Sequence, residues 1–164
     1  MMDLHETLAK FTRHTVFKDW HAKNKKYFLA HAFVMLDEAN KNTWQIGFYN
    51  PEKERMVTFM ITDNIVQHTE DQEVLRTEGS IQPLKPEEVT HTIENALETA
   101  RKCLAENYRA EKPIKEFFII QNAEEHTMFN ITFVTQSLKT INIKIDAKTG
   151  KIIKHSMQAL ADFG

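Results

Sequence analysis

The chain reads as an α+β protein built from two tandem units, each a helix followed by an antiparallel sheet. Three observations predict this. An apolar stripe of helical period runs through residues 86–108. The segments after it alternate apolar and polar residues, as strands with one buried face do. The same order of elements occurs earlier in the chain, displaced by 85 residues. The predicted units are residues 1–80 and 85–164, divided where Gly79, Ser80 and Pro83 cluster.

The second unit is the clearer one. Val89, Ile93, Ala96, Ala100, Leu104 and Tyr108 fall three or four residues apart and form one helical face. Pro86 suits a first helical position, and Glu87 and Glu88 suit the positive end of the helix dipole. The helix is therefore expected from Pro86 to Tyr108. Ile114 to Gln121 predicts a strand that is apolar on both faces at Phe117–Ile120, hence an inner strand or a domain contact. Met128–Val134 and Thr140–Asp146 alternate cleanly. Asp146-Ala147-Lys148-Thr149-Gly150 predicts a hairpin loop, with Asp opening the turn and Gly in the left-handed position. Ile152 to about Leu160 returns as the last strand.

Shifted by 85, Phe118 falls on Phe33, Phe129 on Trp44, Ile131 on Ile46 and Phe133 on Phe48 without a gap. Ile143 and Ile145 fall on Phe59 and Ile61 after one residue is gained. His155 falls on His68 once the hairpin is shortened to Asp63-Asn64, residues that suit a two-residue turn. The first helix matches at Leu4, Leu8 and Phe11, then slips to Val16 and Trp20. It is expected to bend or break between Arg13 and Phe17.

The second unit resembles a PepSY domain. The likeness rests on Lys85-Pro86-Glu87-Glu88-Val89 opening an Ala-containing helix. It also rests on the closing run Ile141-Asn142-Ile143-Lys144-Ile145-Asp146-Ala147-Lys148-Thr149-Gly150-Lys151-Ile152-Ile153. It covers roughly residues 85–160, and the first unit lacks the Asp-Ala-x-Thr-Gly loop. The resemblance implies cystatin-like units, each a helix across a curved antiparallel sheet. It also implies a binding or inhibitory role, peptidase-related, rather than catalysis.

Composition narrows the function classes. Of 164 residues, 41% are hydrophobic and 27% charged, enough apolar content for a core. A net charge of −2 without a basic stripe argues against a nucleic-acid partner. No run approaches the length of a membrane span. Taken as it stands, the chain is expected in the cytoplasm, unless a signal or anchor segment precedes it.

No catalytic, metal or cofactor motif stands out. Candidate ligand-binding residues are His31, Trp44, His68 and His155. His68 and His155 hold equivalent places in the two units, and Glu70 lies on the same strand face as His68. Two histidines fall short of the three or four ligands of a zinc site. His31 sits in an apolar strand, where a polar ring needs a partner or opens onto a pocket. His5, His91 and His126 read as exposed. Cys103, at the edge of the helical stripe, reads as a small buried hydrophobe.

The leading expectation is a non-catalytic module that engages a peptide or protein, with a homodimer through the last strand as a further partner. The alternative is a small-molecule binder or enzyme with a pocket between helix and concave sheet, lined by His31, Trp44, Tyr27 and Tyr49.

Overall fold

Nine strands, all paired antiparallel, and three helices make up the computed structural model, which describes residues 3–69, 72–73 and 80–160. Glu70 and Gly79 lie outside the described residues. Helix α1 (Leu4–Arg13) starts where Asp3 accepts a hydrogen bond from the Glu6 N–H at 2.8 Å. Helix α2 (Thr15–Lys23) follows after one extended residue, His14, at φ −73 and ψ 139. That residue ends one helix and caps the next: its Nδ1 accepts from the Val16 N–H at 3.2 Å. The break lets both Phe11 and Phe17 enter the core, with ring centroids 4.6 Å apart. An unbroken helix would set them six positions apart, about 120° around its axis, and turn one away.

Strands β1 (Phe28–Met35), β2 (Thr43–Asn50), β3 (Arg55–Thr62) and β4 (Ile65–His68) form a meander. A short β5 (Gln72–Glu73) pairs with Arg55 and Met56 at the start of β3. Asp63 sits at φ 54 in the β3–β4 turn, a conformation Asp tolerates better than most residues. After a 3₁₀ turn at Pro86–Glu88, helix α3 runs only from Ile93 to Asn107. The expected start at Pro86 is thus seven residues early. Thr90 and His91 donate their backbone N–H groups to the Ala147 carbonyl at 3.1 and 3.2 Å. Those donors hold the segment to the hairpin loop, and Thr92 becomes the cap by accepting from the Asn95 N–H.

Strands β6 (Pro113–Ala123), β7 (His126–Thr135), β8 (Lys139–Asp146) and β9 (Ile152–Ala159) form the second meander. The two meanders join through β1 and β6, which pair antiparallel from His31↔Gln121 to Met35↔Phe117. The order is β4-β3-β2-β1-β6-β7-β8-β9, the same outward from either side of the central pair. The apolar run Phe117–Ile120 therefore belongs to a central strand, flanked by β1 and β7.

All three helices pack on one face, over a contiguous core that includes Phe48, Phe59, Phe118, Phe129, Ile131 and Ile143. Above β1 the small Ala32 and Val34 let Trp44 and Phe118 meet edge-on at 5.7 Å across that strand. On the other face Phe33 and Phe117 lie 5.7 Å apart, both half-buried. This alters one detail of the sequence alignment. Phe118 is fully buried on the helix side while Phe33 is on the open side, so the 85-residue shift puts them on opposite faces. In the sheet Phe118 pairs with Ile131, and Ile46, the residue aligned with Ile131, pairs with Ala32. A shift of 86 is needed along this strand, because moving a strand by one residue exchanges its faces.

The Asp146 loop closes as expected. Asp146 Oδ1 accepts from the Lys148 and Thr149 N–H groups at 2.8 and 3.0 Å, and Gly150 takes φ 75. His126 Nδ1 lies 2.7 Å from Asp146 Oδ2. Burial acts to raise the Asp146 carboxyl pKa, but the hydrogen bonds from His126, Thr149 and Lys148 outweigh it and hold the group below its ordinary value. The folded state thus binds this proton less readily than the unfolded chain. Its contribution to stability is present above the unfolded pKa and lost as pH falls through the lower folded one. Urea unfolding across an acidic pH series should show that loss, and Asp146→Asn should flatten the acid limb of the curve. An unchanged acid limb in the variant would place the pH dependence elsewhere.

Candidate functional site

His31, Trp44, His68 and His155 do not converge. Trp44 is buried under the helices, whereas His31 lies on the opposite face of the sheet. Its imidazole lies against Gly47, its partner across the strand pair, and burial lowers its pKa. Trp44 lines a cavity of about 110 Å³ with Leu4, Val89, Ile93, Ile120 and Phe129, and His31 is not among its lining residues. Phe11, Phe17, Trp20, Phe48 and Phe59 fill the space beneath the first two helices with ring contacts of 4.6 to 6.2 Å. Tyr27 is part of that core, and Tyr49 stacks edge-on with Phe28.

His68 pairs with Phe59 and His155 with Ile143, the two positions that the sequence aligns. They lie on the two outermost strands of the main path, seven strand spacings apart. At about 4.8 Å per spacing that is roughly 30 Å along the sheet, too far for a shared ligand. His68 is exposed, its ring 5.5 Å from that of Phe59. His155 accepts from or donates to the Tyr108 hydroxyl at 2.7 Å, which ties the end of α3 to β9. Among the described residues no three His, Cys, Asp or Glu side chains form a metal-binding group. Cys103 is buried, and burial raises its thiol pKa. His91 and His126, expected to be exposed, are half-buried, His91 against Gly150 and His126 against Asp146.

The chemically open feature is an edge. Strand β9 pairs on one side with β8, in unbroken register from Lys154↔Lys144 to Ala159↔Lys139. Nearly all of its side chains are exposed. The Leu160 N–H donates to the Leu138 carbonyl at 2.9 Å. Backbone direction alternates along an antiparallel strand, so the N–H and C=O groups of His155, Met157 and Ala159 point outward. Among the described residues no strand takes them. Proteins usually blunt such an edge with proline, charge or brevity. Here Ser156-Met157-Gln158-Ala159 has neither proline nor charge. The opposite edge is shorter, since β4 has four residues.

No family model and no curated protein matches the chain. A solved structure has the same fold. It is a protein from Clostridium difficile 630 described as a putative lipoprotein, with a TM-score of 0.53 over 87% of this chain and 90% of that one. At 16% identity the likeness speaks for the fold alone. Among the described residues no helix is long and apolar enough to cross a membrane.

Sequence reasoning reaches His155 and an exposed final strand, but not which backbone groups of that strand lack a partner. The signal was present in the uncharged, proline-free run that closes the last strand. Which backbone groups stay free depends on pairing, and side-chain patterns do not report that.

Proposed function

We propose that this chain is a non-catalytic binding module that takes up an extended peptide or protein segment as an added strand beside β9. The free outward backbone of His155, Met157 and Ala159 supports this reading. Main-chain hydrogen bonds would supply affinity, and side chains beside Met157 would select the sequence. The same reading takes the two meanders as tandem cystatin-like, PepSY-like units. The symmetric strand order and the matched pairing of His68 and His155 support it. A peptidase-related partner belongs to the reading as well. A second copy of the chain is a partner of the same kind, pairing edge to edge. The location proposed with it is the cytoplasm.

Met157→Pro tests the proposal directly. Proline removes an outward N–H and is tolerated on an edge strand, so the β8–β9 ladder survives. Peptides selected from a displayed library against the intact chain should lose binding to Met157→Pro. Urea unfolding should shift by less than about 1 kcal/mol. His68→Ala should leave binding unchanged. Retained binding in a folded Met157→Pro variant, or a library that yields no binder, overturns the reading.

A further inference from the structure

A groove of about 430 Å³ lies at the other edge of the sheet, between the α1–α2 break and the β3–β4 turn. Its volume falls in the range of small-ligand sites, roughly 300–1,000 Å³. The apolar part of its lining is Phe11, Ile61 and Val66, the first two buried and the third half-buried. One wall carries Lys10 and Arg13, at i and i+3 in the last turn of α1, with His14 at the break beside them. Lys10 and Arg13 are exposed, and among the described residues neither pairs with a carboxylate. Arg13 spends its Nε on the Ala9 carbonyl at 2.9 Å, and its two terminal amino groups remain for a ligand. The lining carboxylate is Asp63, in the turn opposite. The short β5 pairs at the far end of β3, away from this groove.

We infer that the groove binds a medium-chain aliphatic carboxylate, a fatty acid. The alkyl chain covers Phe11, Ile61 and Val66, and the head group meets Lys10 and Arg13. The charge pattern selects this occupant: two uncommitted cations beside an apolar floor, with one carboxylate against them. A free phosphate would leave the floor in water, and a neutral alcohol would leave the cations unused. The site is independent of strand addition at β9, seven strand spacings away.

Calorimetric titration of the full chain with dodecanoate, below its micelle concentration, tests the inference. One saturable site is expected, with dodecanol binding more weakly. Lys10→Glu combined with Arg13→Glu, both at exposed positions, should weaken dodecanoate at least about tenfold. Asp63→Asn, a residue that accepts the same left-handed backbone, should tighten it. Urea unfolding of each variant shows whether it is folded. No saturable site in the unaltered chain, equal binding of the alcohol, or unchanged affinity in the folded double variant overturns the inference.

Discussion

Phe59→Ala is expected to destabilise the protein by about 3–5 kcal/mol, a large share of the total for a domain of this size. Phe59 is fully buried on β3. Its ring centroid lies 4.9 Å from that of Phe11, 5.0 Å from Trp20, 5.8 Å from Phe48 and 6.0 Å from Phe17. Truncation removes the ring from the junction of both helix segments and two strands. The broken geometry at His14 prevents those helices from closing on the void, because Phe11 and Phe17 are each anchored by other rings. The next residue, Met60, is 39% exposed on the other face, and Met60→Ala should cost less than about 1 kcal/mol. Urea unfolding of both variants measures the contrast. Similar losses at the two positions would contradict the placement of the core on one side of β3.

Gly47→Ala should cost about 1–3 kcal/mol, although alanine normally suits a strand better than glycine. A Cβ at Gly47 would stand 2.3 Å from His31 Cε1 and 2.6 Å from His31 Nε2. No side chain fits there while the imidazole lies flat on the backbone. Glycine is needed for this close approach, since Gly47 does not sit in the left-handed region. Gly47→Ala combined with His31→Ala should recover most of the loss, because the two substitutions share one contact. A double variant whose loss equals the sum of the single losses would show that the cost lies in the backbone. His31 then acts as a packed ring over a glycine, and its lowered pKa follows from that burial.

Much of the architecture is local and could be read from residues. Period-two alternation marks β7 and β8, Asp146 to Gly150 spells its own turn, and the slip between Phe11 and Val16 announces the break at His14. Each signal arises from a few neighbouring side chains, so the chain carries it before folding. The start of α3 is not legible in the sequence, because Pro86–Glu88 has helical chemistry while its neighbours Thr90 and His91 give their N–H groups to Ala147, 57 and 56 residues away. Whether His68 and His155 meet is not legible for the same reason. Equivalent positions can meet or sit far apart, and only the pairing of β1 with β6 put His68 and His155 at opposite edges.

By itself, the sequence determined which segments become helices and strands, their repeated order, and the α+β class, because periodicity and turn chemistry act within a few residues. Tertiary structure alone decided that the two meanders share one sheet and one core, that Phe33 faces away from Phe118, and that among the described residues no strand pairs with the outer side of β9. The first two outcomes depend on the pairing and register of β1 with β6, a choice made between residues 82 to 90 positions apart; the third depends on which strands follow one another at the sheet's end.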